Sequence, residues 1–355
     1  MKIAIIGTRG IPNFYGGFEQ FAEYLSQGLV KSGHDVYVYN SSDHPYKECK
    51  WNNVNIIHCT DLEKKIGTAG QFIYDLNCII DSRKRDFDAI LQLGYTSSSV
   101  WNWLFKKSVK IVTNMDGLEW KRTKYSKTTQ SFLKFAESLA IYSSDILVSD
   151  SIGIQSYIRK KYGKKSIFIP YGAHLAEQVK EEFLTEYSLQ KYKYDLLIAR
   201  LEPENNIQTI IDGFVASDTK RKLVVIGSTS TKFGAKLKVN NSDSRIVFLE
   251  YVSGIEKLNA LRSFSNLYFH GHTVGGTNPS LLEAMASNAL ICAHKNIFNE
   301  SILNEDAFYF DDAKQITDIV NQTTKDLSSP FIISNRKKIT NFYSWRSVIN
   351  KYEDL

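Results

Sequence analysis

Two doubly wound α/β domains in one chain are the fold class this sequence predicts, and three observations predict it. Short apolar runs rich in β-branched residues recur along the chain and alternate with helical patterns, as buried parallel strands joined by crossover helices do. The alternation stops once, at residues 167–178 (IFIPYGAHLAEQ), and then restarts. The chain has 355 residues, 43% of them apolar, and a single core stops growing near ~250–300 residues.

In chain order, the first set of strands reads KIAIIG, DVYVYN, NIIH, DAILQLG, KIVTNMDG and DILVSD, and the second reads DLLIAR, KLVVIGS, IVFLEYV, NLYFHGH and ALICAH. The predicted domains are residues 1–170 and 171–343, with Pro170 and Gly172 at the joint as a hinge. The last helix, residues 344–355 around SWRSVINKYEDL, is expected to return to the first domain. Ligands in doubly wound folds bind outside the carboxyl ends of the strands. Two such sheets in one chain are therefore expected to face a central cleft.

Composition removes several classes. No run reaches the ~18 apolar residues of a membrane span, and MKIAIIG meets Gly7 too early for a secretory signal, so a cytoplasmic protein is expected. The four cysteines, Cys49, Cys59, Cys78 and Cys292, have neither C-x-x-C nor zinc spacing and read as free thiols. The net charge of +6 is uneven, with 23 basic against 16 acidic side chains in residues 1–170. That basic half suggests an anionic partner. No nucleic-acid module or stacking pattern accompanies it, so nucleic acid is not the expected one.

The chemistry-bearing residues fall just after strands. GTRGIPNFYGG (7–17) follows the first strand and lacks G-x-G-x-x-G, and the second strand ends at Asn40 instead of an acid for a ribose diol, which argues against a nicotinamide enzyme. Gly16 and Gly17 still open a helix suited to a phosphate or sugar, although a glycine-rich surface loop fits them too. Arg200 ends the first strand of the second domain. There it either grips a diphosphate bidentately or merely pairs with Glu202 or Glu204. HGHTVGGTNPSLLEAMA (270–286) reads as strand, glycine-rich turn and helix. Such a turn offers backbone N–H groups and about +0.5 charge of helix dipole to an anion, or else is an ordinary capped connection. His270 and His272 share a strand face, but no third ligand is suggested and no metal is expected.

Together ARLEPENN with Arg200, the hinge IPYG and the glycine-rich turn leading to LLEAM resemble the GT-B glycosyltransferases of family 4. GTRGIPNFYGGFE, NMDGLEWKR and GGTNPSLLEAM resemble more particularly a bacterial rhamnosyltransferase-like subgroup that builds capsule and surface polysaccharide. The resemblance runs over essentially the whole chain. It implies a GT-B fold and a retaining enzyme that uses a nucleotide sugar, with no metal and no cofactor. The implied donor is dTDP-rhamnose and the implied acceptor a lipid-linked saccharide.

Carried over by residue, the resemblance makes Arg200 the diphosphate clamp and Glu283 the contact to the nucleoside's pentose. Gly275, Gly276, Thr277, Asn278 and Ser280 surround the phosphates, with Gly16 and Gly17 lining the donor. Asn205, Gly227, Tyr251, Val252 and His272 complete the donor side. Asp116 stands where relatives keep a histidine near the reacting sugar, and Tyr15, Glu19, Glu119 and Trp120 are acceptor-side candidates. Two departures from the family pattern stand out. The position eight before Glu283 is Gly275, not a second glutamate, and Asn205 replaces the lysine that usually follows the phosphate arginine.

Two other functions share these features: a nucleotide-sugar epimerase, and a sugar-nucleotide-binding protein without catalysis. The stretch SSSVWNWLFKK (97–107) reads as a core-facing helix, and its Trp101, Trp103 and lysines also fit a peripheral contact with the anionic inner face of a membrane.

Overall fold

In the computed structural model, described here for all residues except 15, 116, 122–124 and 274, the chain separates into two compact units. One comprises Met1–Tyr171 with Trp345–Leu355, the other Gly172–Ser344.

The first unit holds β1 (Lys2–Ile6), β2 (Asp35–Ser41), β3 (Lys50–Trp51), β4 (Val54–Cys59), β5 (Ala89–Leu93), β6 (Lys110–Asn114), β7 (Ile146–Ser149) and β8 (Ile167–Phe168). They form one sheet in the order β3-β4-β2-β1-β5-β6-β7-β8, parallel except where β3 pairs antiparallel with β4. Strand order reverses between β1 and β5, the switch point of a doubly wound sheet. The central strands are mostly apolar, as strands of a parallel sheet covered on both faces are; β5 is buried at all five residues, the polar Gln92 included.

Helix Gly17–Lys31 buries Phe21, Leu25 and Leu29, spaced four apart on one face. The C-terminal helix Trp345–Glu353 lies against it: Tyr24 stacks on Trp345 with ring centroids 4.6 Å apart, and Phe21 meets Tyr352 edge-on at 5.6 Å. A Cβ on Gly28 would come within 2.2 Å of Ile349. That glycine is what lets the two helices approach so closely.

The second unit holds β9 (Tyr194–Ile198), β10 (Lys222–Ile226), β11 (Ile246–Leu249), β12 (Tyr268–His270), β13 (Ile291–His294) and β14 (Phe308–Phe310). The sheet is wholly parallel, in the order β11-β10-β9-β12-β13-β14, with its switch point between β9 and β12. Leu197, Val225, Phe269 and Cys292 from neighbouring strands share a core with Ile207, Ile211 and Phe214 of helix Ile207–Val215.

Three strands were not expected from the sequence: the hairpin strand β3, β8 within the apparent pause, and β14. The stretch 97–107 forms a single 3-10 helix, Ser99–Leu104, which turns Trp101 inward to donate to the Phe72 carbonyl at 2.9 Å and leaves Trp103 76% exposed. Among the described residues no helix is long and apolar enough to cross a membrane.

Candidate functional site

The loops at the β9/β12 switch point are joined by hydrogen bonds. Asn206 Nδ2 donates to the Gly271 carbonyl at 2.8 Å, and the Thr273 N–H and hydroxyl both donate to the Glu204 carbonyl, at 3.2 and 2.9 Å. Within the first loop Asn205 is buried, and its Nδ2 donates to the Arg200 carbonyl at 2.7 Å. A Cβ on Gly227 would meet the Ala199 carbonyl at 2.2 Å, so the loop after β10 presses on the residue before Arg200.

These contacts use the backbone around Arg200 and leave its side chain alone. Arg200 is exposed and pairs with no carboxylate among the described residues, Glu202 and Glu204 included. A permanently charged guanidinium is thus held on a rigid loop at a sheet's carboxyl end, ready for an anion.

The second loop runs from β12 into helix Pro279–Ala286. Its histidines stack, with ring centroids 4.4 Å apart and planes 15° apart. His270 is buried with no hydrogen-bond partner for either ring nitrogen, and burial holds its imidazole well below the usual range, so it is neutral. The His272 carbonyl accepts from Asn296 and Asn299 at 3.0 and 3.1 Å, which ties this loop to helix Ile297–Leu303. Gly275 has φ +146°, a conformation L side chains rarely adopt. Asn278 caps the helix by accepting from the Ser280 N–H at 2.9 Å, and Ser280 Oγ lies 2.7 Å from Tyr268 Oη. Thr277 and Val252 are buried, whereas Tyr251, after β11, is exposed, and Gly276 lies in the turn before the cap. The first turn of this helix therefore has a side-chain cap of its own.

Glu283 is engaged by a residue that sequence reasoning missed. Arg262, its side chain 2% exposed, donates Nη2–H to Glu283 Oε2 at 2.5 Å, while Glu283 remains 21% exposed. The sequence carried no mark of this pair, since the two residues lie 21 apart on different helices.

In the first unit, the loop after β1 is held from inside. Asn40 Oδ1 accepts from the Ile11 N–H at 3.0 Å, and Asn40 Nδ2 donates to the Ile11 carbonyl at 2.7 Å. Arg9 pairs with Glu63, Nη2 to Oε1 at 2.8 Å. Glu19 is buried, and its Oε1 accepts from the Arg9 N–H at 2.8 Å. Gly16 precedes helix Gly17–Lys31, whose start has no side-chain cap. Glu119 and Trp120 open a 3-10 turn; the Trp120 indole donates to Glu137 at 3.1 Å. Buried Glu137 also accepts from Tyr157, Lys161 and Tyr162 at 2.8, 2.9 and 2.6 Å. Tyr15 and Asp116 lie outside the described residues. No group of three or more His, Cys, Asp or Glu among the described residues could hold a metal ion.

Residues 1–174 match the model of a domain of unknown function (DUF1972). No curated protein matches the chain in sequence. Solved structures do match its fold over its full length. Sucrose-phosphate synthase from Thermosynechococcus elongatus is similar with a TM-score of 0.80 at 15% identity, covering 99% of this chain and 97% of that one. Anabaena HepE in complex with UDP and glucose gives 0.77 at 14%, covering 99% and 98%. WaaG, a glycosyltransferase involved in lipopolysaccharide biosynthesis, gives 0.75 at 13%, covering 100% and 99%. The chain has the α/β GT-B fold of these glycosyltransferases, each unit built on its own sheet, parallel but for the β3–β4 pair.

Proposed function

We propose that this chain is a retaining glycosyltransferase that moves L-rhamnose from dTDP-rhamnose onto a lipid-linked saccharide acceptor in surface-polysaccharide synthesis, without metal or cofactor. The observation that carries the reading is Arg200, exposed and without an ion pair among the described residues, on a loop whose backbone is tied down by hydrogen bonds at the Arg200 and Glu204 carbonyls. Transfer breaks the bond between the sugar's anomeric carbon and the diphosphate and forms one to an acceptor oxygen. Negative charge grows on the diphosphate, and Arg200 would stabilise it there. In front-face attack the departing diphosphate oxygen takes the acceptor's proton, so no protein nucleophile is demanded. Structures of Anabaena HepE with UDP-glucose bound support a nucleotide sugar as the ligand class. The sugar itself rests on the subgroup resemblance and on Gly275, which leaves no second carboxylate for a hydroxyl-rich hexose.

Release of nucleoside diphosphate from dTDP-rhamnose and UDP-glucose, with and without a panel of lipid-linked saccharides, tests the reading. Stoichiometric dTDP release with a glycosylated product by mass spectrometry is expected. A higher specificity constant for UDP-glucose overturns the rhamnose assignment; an isomerised sugar without acceptor consumption, or binding without turnover, overturns transfer.

The acceptor class also implies a membrane surface. Helix Lys127–Ser143 exposes Phe135 at 55% and Tyr142 at 67%, and Asn102 Nδ2 donates to Ser143 Oγ at 2.7 Å, binding this helix to the turn that carries Trp103. Exposed Lys107 and Lys134 accompany these aromatics. Exposed rings and exposed lysines along these segments suit the interface of an anionic leaflet.

A further inference from the structure

We infer that Arg262 is a positioning residue for nucleoside recognition, fixing the Glu283 carboxylate so that it selects ligands by their pentose hydroxyl; this rests on the donor reading above. Helix Ile255–Phe264 carries Arg262 to helix Pro279–Ala286, and the contacts between them converge on Glu283 and its neighbours. Arg262 Nη2 donates to Glu283 Oε2 at 2.5 Å. Asn259 Oδ1, which receives Arg262 Nη1 at 3.4 Å, also accepts from Ser287 Oγ at 3.1 Å, and Ser263 Oγ donates to the Ser287 carbonyl. The Glu283 side chain therefore leaves a helix that is braced at the same turn.

The pair is poorly explained as a stabilising device. Arg262 Nε is buried with no hydrogen-bond partner, and its second amino group has only a long contact. A buried ion pair with incomplete hydrogen bonding is often no more stabilising than well-packed apolar residues. The pair does hold an anionic carboxylate at a partly exposed site. Arg262 is itself too deeply buried to touch a ligand, so any influence on binding passes through Glu283. A charged acceptor held in one place bonds a hydroxyl more strongly than a neutral or wandering one.

The inference separates the pentose from the diphosphate, and calorimetry with three ligands separates them too. Binding of dTDP, 2′,3′-dideoxythymidine diphosphate and inorganic pyrophosphate is measured for the wild type, Arg262→Gln and Arg262→Lys, each checked by thermal melting. The wild type is expected to prefer dTDP over the dideoxy analogue by about tenfold or more. In Arg262→Gln the preference should fall to within about twofold, with pyrophosphate binding unchanged. Arg262→Lys, which keeps a charge but loses the planar fork, should fall between them, and it supplies the same ratio should the glutamine variant fail to fold. A wild-type preference retained in the folded variants overturns the inference. So does an equal loss of dTDP and pyrophosphate binding, the mark of a merely structural role. A wild type that binds dTDP and its dideoxy analogue equally overturns it as well, whereas one that binds no nucleoside diphosphate overturns the underlying donor reading.

Discussion

The Asn40 carboxamide holds Ile11 at both of its backbone groups, accepting from the N–H at 3.0 Å and donating to the carbonyl at 2.7 Å. Both residues are fully buried. The two bonds tie the glycine-rich loop after β1 to the end of β2. An alanine at position 40 would leave a buried donor and a buried acceptor without partners, and each such group costs about 1–3 kcal/mol. Asn40→Ala is therefore expected to lower stability by about 2–4 kcal/mol in urea unfolding. A loss under ~0.5 kcal/mol would show that the loop is held by something else.

Lys325 gives the second unit a pH dependence. Its Nζ donates to the Ser263 carbonyl at 2.6 Å inside the protein, and burial, helped by the charge of Lys191, pushes the ammonium down to about 7. An unfolded chain keeps this lysine protonated to about 10.4. Between those values the unfolded state binds the extra proton, so stability rises with pH through this window, and below about 7 the folded protein carries an unfavourable buried charge. Lys325→Met should flatten the stability profile between pH 7 and 10 and raise stability at pH 6. Chemical denaturation of both proteins across that range checks it, and parallel profiles would refute it.

What the sequence disclosed, and what it hid, follow from the range of the interactions involved. Strands such as β9 and β10 are runs of five residues rich in Leu, Ile and Val, a local pattern, so both sheets were legible. Lys50–Trp51, Ile167–Phe168 and Phe308–Phe310 are two or three residues long, too short to show a period. The place of Arg200 at the carboxyl end of a strand was legible because it closely follows the apolar run of β9. Whether it paired with Glu202 or Glu204 was not, since that depends on where a loop turns its side chains. Asn40 looked like an acid that was missing; its partner Ile11 lies 29 residues away. Arg262 was read past for the same reason, because a buried arginine announces itself only through the helix packed over it.

Membrane contact through the first unit would be electrostatic at long range and apolar at short range. Sedimentation with vesicles rich in anionic lipid should exceed that with neutral vesicles. It should weaken as salt shortens the Debye length from ~10 Å at 0.1 M toward ~3 Å at 1 M. Trp103→Ala should reduce the binding that persists at high salt, because 76% of that residue is exposed and its removal disturbs no core. Equal sedimentation with neutral and anionic vesicles at low salt would remove the charge argument.

Arg200 provides the sharpest division between catalysis and stability. Its side chain is exposed and forms no ion pair among the described residues, while its carbonyl, held by Asn205 Nδ2 at 2.7 Å, keeps the loop in place whatever the side chain is. Arg200→Ala should therefore leave the unfolding free energy within about 0.5 kcal/mol of wild type, as exposed substitutions do. Turnover should respond very differently. On the proposed reading, with Asn205 at the position where the resemblance implies a lysine, the leaving-group charge would fall largely on one side chain. Losing a preorganised donor of that kind costs about 2.7–4 kcal/mol of transition-state stabilisation, a fall of ~10²–10³ in kcat. Arg200→Lys restores charge without the bidentate fork and should recover only part of the loss. Single-turnover kinetics at saturating donor, set beside a melting curve for each variant, reads both quantities. An Arg200→Ala protein that melts like the wild type and turns over at its rate would mean that the diphosphate is stabilised elsewhere.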